Sequence, residues 1–248
     1  MIAIKQRLQK SLKRVLNQLD NEWIRTKDYN FSHIPMTFHL RNNKLNYRSA
    51  IALSLAGKQT NRASQVAAEI IQGLKTEISP DFAEIQGFPP AWIDLTLTPS
   101  AIGEWLQESL QNTTPQLIQL SPHPNIQSLP EYVRNRCLQL LQLANQENLI
   151  AFPDPPPSSN GILMADEFLL APADWELLYQ LMATRDRLEE ISTHTHREKL
   201  AHHLSDAFLE FHRHCQLFNQ QQPEFHELAV IRFSAIAIAA QLLYECGY

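Results

Sequence analysis

The sequence predicts a mainly helical protein in two parts, a small α+β domain followed by an α-helical bundle. Three observations carry this. The chain of 248 residues holds six glycines while Leu, Ala and Gln are plentiful, a composition that favours helix. Hydrophobic residues make up 44%, enough to build packed cores. Strand-like alternation shows at 34–41 and 92–98, whereas apolar residues elsewhere recur at helical spacing.

The elements follow in order. Ile4, Leu8, Leu12, Val15, Leu16 and Leu19 lie on one helical face, opposite a face of Lys and Arg. IPMTFHLR (34–41) reads as a strand with Ile34, Met36, Phe38 and Leu40 on one side. NYRSAIALSLAGKQ (46–59) reads as a helix stopping near Gly57, and Asn61 as the N-cap of a second, RASQVAAEIIQGLK. WIDLTLT (92–98) alternates as a strand that Pro99 ends, and SAIGEWLQESLQ follows as a short helix. This places an α+β domain at 1–112. Residues 113–130, with Pro122, Pro124 and Pro130 among them and no clear period, read as a linker. The remainder, 131–248, opens with a helix over 132–150 whose stripe is Val133, Cys137, Leu140, Leu141 and Ala144. FPDPPPSSNG (152–161) breaks it, because consecutive prolines impose extended backbone. Helices then follow over Pro172–Ser192, Arg197–Leu217 and Pro223–Tyr244.

Charge is unevenly placed. Residues 1–75 carry 13 Lys+Arg against 4 Asp+Glu, and residues 76–248 carry 8 against 22. Such asymmetry reads either as a phosphate-binding footprint or as solvated helix faces of opposite sign. Three widely spaced cysteines argue against a disulfide framework and for a reducing compartment. The basic N-terminal stretch lacks the apolar core of a signal peptide, and no run of about 18 apolar residues is read in the chain. A cytoplasmic protein that does not cross a membrane is expected.

The segment His194–Cys215 holds six of the ten histidines and raises the question of a metal. Chelation from one helix needs ligands three or four residues apart, and no two of these histidines have that spacing. His196, His203 and His214 flank the apolar stripe Leu200, Leu204, Ala207, Phe208, Phe211 and Cys215, but about 10–17 Å apart along the axis. His202 faces solvent and pairs in spacing with Asp206, as Glu210 does with His214. No metal is expected here. Phosphate-loop, dinucleotide, C-x-x-C and G-x-S-x-G motifs are also missing, so neither an enzyme nor a cofactor is indicated.

Three segments, in order, resemble arginyl-tRNA synthetase. NYRSAIALSLAGKQTNRASQVAAEIIQGL (46–74) is similar to the D-Y-Q-x-N-x-x-x-x-x-A-K helix pair of that family's N-terminal add-on domain. EIQGFPPAWIDLTLTPSAIGEWL (84–106) resembles its I-A-G-P-G-F-I-N-x-x-L strand and the helix after it. LPEYVRNRCLQLLQLANQENLI (129–150) resembles the Q-Y-A-x-x-R helix that opens the DALR anticodon-binding domain, and the helices from Arg197 and Glu227 resemble the last two of that domain. The resemblance implies a DALR-type bundle. It also implies no catalytic body, since about 25 residues between Trp105 and Tyr132 are too few for a nucleotide-binding fold.

By that resemblance Trp92 and Asp94 stand where the add-on domain reads the tRNA elbow with an aromatic and an amide. Asp94 is an acceptor-only replacement for the amide. Tyr132 and Arg136 stand at the Tyr and Arg of the DALR helix, with core packing as the alternative role for Tyr132. The implied function is non-catalytic binding of tRNA, with arginine tRNA presented to another enzyme. Lys5, Lys10, Lys13, Arg14, Arg41, Lys44 and Arg48 would supply phosphate contacts. The alternative is a scaffold for a protein partner that has lost RNA binding, with the acidic C-terminal portion and the proline-rich 152–161 segment as its support.

Overall fold

The computed structural model describes residues 3–19, 34–57, 60–112, 126–147, 149, 170–190, 193–218 and 223–248, without the side chains of 60, 61 and 223–227. The expected proline-rich break at 152–161 and most of the expected linker lie outside these residues. The described chain is mainly helical, with eight helices and one small antiparallel sheet. It divides into two compact units, residues 2–101 and residues 102–248.

The first unit is the α+β one. Helix α1, Ile4–Gln18, buries Ile4, Leu8, Leu12, Val15 and Leu16 as their spacing predicts, while Leu19 of the expected stripe is the half-buried C-cap beyond it. Strands β1, Met36–Arg41, and β2, Lys44–Ser49, form a hairpin in which Arg41 pairs with Lys44. The turn between them is Asn42–Asn43, both at positive φ (51° and 55°). Asparagine tolerates that region, and a two-residue turn of this sign matches the strand twist.

Here the sequence reading is corrected. Residues 46–49 are strand, and helix α2 is confined to Ile51–Ala56, ending at Gly57 with φ 65°. Leu45, Tyr47 and Ser49 are buried while Lys44, Asn46 and Arg48 are not, a period of two that the following helix masks in the sequence. Helix α3, Thr60–Glu77, begins before Asn61, which is therefore within its first turn and not its cap. Strand β3, Ala83–Phe88, pairs with β4, Trp92–Leu97, and completes the order β1-β2-β4-β3.

One sheet face is the core. Leu45, Tyr47, Ile85, Ile93, Leu95 and Leu97 point to it, covered by α2 and α3, and α1 packs on α3 in turn. The other face carries Thr37, His39, Asn46, Arg48, Asp94, Thr96, Gln86, Phe88 and Trp92, as the strand register requires. Helix α4, Pro99–Gln111, starts where the Ala101 N–H donates to Thr98 Oγ1 at 3.2 Å.

The second unit contains four further helices: α5 Leu129–Gln146, α6 Pro172–Leu188, α7 His194–His214 and α8 Pro223–Cys246. The first starts three residues earlier than its apolar stripe suggests. Ser128 Oγ accepts the Glu131 N–H while the Glu131 carboxylate accepts the Ser128 N–H, a reciprocal cap that sets the start. Every predicted stripe residue of α5 is buried. Helix α8 packs against α5, α6 and α7, while α7 packs against α5 and α6. The stretch Leu228–Cys246 is long and apolar enough to cross a membrane by composition, but 89% of its most apolar window is buried in the fold, the mark of a core helix.

Candidate functional site

The sheet unit gathers three of the sequence-selected residues. Arg48 on β2 and Asp94 on β4 are cross-strand partners, so their side chains meet over the sheet face opposite α2 and α3. Arg48 Nε donates to Asp94 Oδ1 and Nη2 to Asp94 Oδ2, both at 2.6 Å. Asn46 Nδ2 donates to Asp94 Oδ2 at 3.4 Å. This fork-on-fork pairing raises the Arg48 pKa, chiefly through the hydrogen bond to Asp94. It also buries Asp94 to 3% exposure. Asp94 is thus buried and engaged by Arg48 and Asn46.

The guanidinium is framed by aromatics. Phe88 and Trp92 pair across the β3–β4 hairpin, and the Arg48 guanidinium carbon lies 5.8 Å from each ring centre. Phe88 is 41% exposed and Trp92 half-buried. Beside them opens a groove of about 460 Å³, lined by Ser64, Ala67, Ala68 and Ile71 of α3 and by Phe88 and Trp92. Phe88 escaped the sequence reading. Its signal was the alternation of Ala83, Ile85 and Gly87 against Glu84, Gln86 and Phe88, which a strand over 83–88 would have explained.

The remaining cations do not converge there. Arg41 and Lys44 are exposed at the hairpin tip, about 13 Å along the strand from Arg48. Lys10, Lys13 and Arg14 are exposed on α1, and Lys5 is half-buried there. Because α1 packs on α3, which covers the opposite sheet face, these charges and Arg48 occupy separate surfaces. Arg14 is also engaged, with Nη1 2.6 Å from the Glu77 carboxylate.

In the helical unit Tyr132 is 45% exposed and so is no core residue. One turn on, Arg136 is half-buried, with Nη2 3.5 Å from His212 Nε2 and Nη1 3.5 Å from Gln139 Oε1. Burial, then the Arg136 charge, holds the His212 pKa below the usual imidazole range. Its neutral ring, stacked on Phe208, can accept from Arg136. The other histidines of α7 are exposed, and His214 contacts Glu210 at 2.8 Å. Among the described residues no group of three His, Cys, Asp or Glu is placed to hold a metal ion.

In comparison with known proteins, no family model matches the chain, and neither a curated protein nor a solved structure does.

Proposed function

We propose that the chain is a non-catalytic tRNA-binding protein whose α+β unit takes an unpaired base and its phosphate at the Phe88–Arg48–Trp92 cluster. The observation that carries this is the Arg48 guanidinium, held by Asp94 within 5.8 Å of the centres of two partly exposed rings on the sheet face opposite α2 and α3. Bidentate pairing uses Nε and Nη2, so Nη1 is left to donate outward. Aromatic side chains stack on any base, and each such contact contributes about 1–3 kcal/mol in single-stranded recognition. The resemblance to the tRNA-contacting parts of arginyl-tRNA synthetase supports tRNA as the RNA, with arginine tRNA as the species presented to a partner enzyme. Tyr132 and Arg136 would be a second contact, on the helical unit.

A second reading has one observation in its favour. Ion pairs already engage Arg14 and Arg48, which lessens the charge left for phosphate and suits a protein-docking scaffold instead. Titrating arginine tRNA and a non-cognate tRNA across a salt series separates the two. Affinity that falls steeply with salt, and falls about fivefold or more in Trp92→Ala and in Phe88→Ala, is expected for RNA binding. Absence of binding at low ionic strength would sink that reading in favour of the scaffold.

A further inference from the structure

Arg134 stands on α5 at the flank of its buried stripe, turned toward α8. The residue is 9% exposed, and Nε is sealed from solvent with no acceptor. Among the described residues its guanidinium has neither a hydrogen bond nor an ion pair. Its one close neighbour of note is the Tyr244 ring, whose centre is 5.5 Å from the guanidinium carbon. Tyr244 is itself 54% exposed on α8.

Arg185 and Arg197 of this unit share a buried Nε without an acceptor, but their other nitrogens, like those of Arg232, have acceptors. Arg232 meets Asp174 through two bonds and the Gln216 carbonyl through a third. Arg185 meets Glu189 and Glu245. The acidic residue nearest Arg134 along α5, Glu131, instead caps the helix through the Gln127 and Ser128 amides. Burying a guanidinium without a counter-charge is more unfavourable than a single cation–π contact is favourable. Burial accordingly pulls the Arg134 pKa down. Of its nitrogens Nε alone is buried without a partner, and the guanidinium lies over the Tyr244 ring. A cation without a counter-charge among the described residues, next to an exposed aromatic, has the donor set for a phosphate with a base attached.

We infer that Arg134 and Tyr244 form a nucleotide site on the helical unit. A phosphodiester oxygen accepts from the Arg134 Nη groups, and the adjoining base stacks on the outer face of Tyr244. The identity of the ligand as RNA rests on the function proposed above; the phosphate chemistry does not.

The experiment uses the full chain with Arg134→Met and Tyr244→Ala beside Trp92→Ala, reading tRNA affinity in a salt series and the unliganded melting temperature. Arg134→Met should weaken tRNA about tenfold and lower the salt slope by about one ion. It should melt no lower than the parent, because an unpaired buried charge has been removed. Tyr244→Ala, at an exposed position, should weaken tRNA about fivefold or more and keeps the test valid if Arg134→Met does not fold. Parental tRNA affinity in Tyr244→Ala together with a lower melting temperature in Arg134→Met would make Arg134 a structural brace and overturn the site. Loss of affinity in Trp92→Ala but in neither of the other two would overturn this site alone. Should the parent bind no tRNA, melting with inorganic phosphate and with 5′-AMP decides. A rise in the parent that Tyr244→Ala lacks for 5′-AMP, or Arg134→Met lacks for both, supports the site, and no rise in the parent ends it.

Discussion

The ion pair between Asp174 and Arg232 gives the sharpest test of how the helical unit is held together. Asp174 sits in the first turn of α6, where Oδ2 accepts the Ala171 N–H at 2.8 Å and so closes the helix start. Oδ1 and Oδ2 also accept from Arg232 Nε and Nη2 at 2.9 and 2.8 Å, and Arg232 Nη1 reaches the Gln216 carbonyl at 2.7 Å. The two side chains are 3% and 7% exposed, so water replaces none of these bonds. Asp174→Asn keeps the shape and the N-terminal acceptor but strands the Arg232 charge. Breaking one partner of a buried pair costs about 3–5 kcal/mol, on the order of 10 °C in melting temperature for a unit of this size. Replacing both residues with apolar ones, as Asp174→Leu with Arg232→Met, should recover most of that loss, since paired buried charges return little beyond their desolvation. Urea unfolding followed by the helical circular dichroism signal measures all three variants. A midpoint for Asp174→Asn equal to that of the parent would refute the reasoning, and so would a double variant weaker than the single one.

Further outcomes follow from local geometry. A Cβ on Gly73 of α3 would come within 2.5 Å of Val15 Cγ1 on α1; because Val is stiff, Gly73→Ala should destabilise by about 1–3 kcal/mol despite its better helix propensity, and a stabilised variant in urea unfolding would contradict this. The His212 pKa is lowered, by burial and then by Arg136, so the fold favours the neutral ring. Its contribution is complete above the unfolded value of about 6.5 and is lost as pH falls through the lower folded value; His212→Gln should therefore flatten the stability–pH slope below 6.5, and an unchanged slope counts against it. Cys137, Cys215 and Cys246 are free and buried, and burial pushes the last two up to about 12 and about 11. None should react with a thiol reagent in the native protein, whereas three should on unfolding.

How legible was this molecule in its sequence? The helical unit was largely so, because amphipathic helices write their burial at a period near 3.6. The stripe Val133–Ala144 is buried as its spacing predicts, and so are Leu200, Leu204, Phe208 and Phe211, with Ala207 half-buried among them. The sheet was less legible. Residues 45–49 alternate for five positions and then run directly into the apolar α2, so a helical period fitted 46–59 as a whole. The Asn42–Asn43 turn was the missed signal, since two residues tolerant of positive φ between strand-like runs define a hairpin. The Arg48–Asp94 pair was beyond reach for another reason: the partners are 46 residues apart and meet only through strand register. Tyr132 was read with core packing as the alternative, and spacing could not choose, because it precedes Val133 of the stripe by one residue. Arg134 follows that residue by one, and a sequence reading that keeps charges outside would never bury it.

Helix α8 has a consequence for when the helical unit can exist. It is the element that α5, α6 and α7 all pack against, and nearly every described side chain from Leu228 to Leu243 is buried. Yet it follows all three in the chain. During synthesis the ribosome releases α5, then α6, then α7, which pack on one another in the fold, but the surface that each gives to α8 has no counterpart until α8 is made. At about 5–20 residues per second, α5 waits several seconds for α8. The unit is completed only at that late step, and a chain arrested before Leu228 would display the α8-facing surface of all three helices to any chaperone or protease at hand.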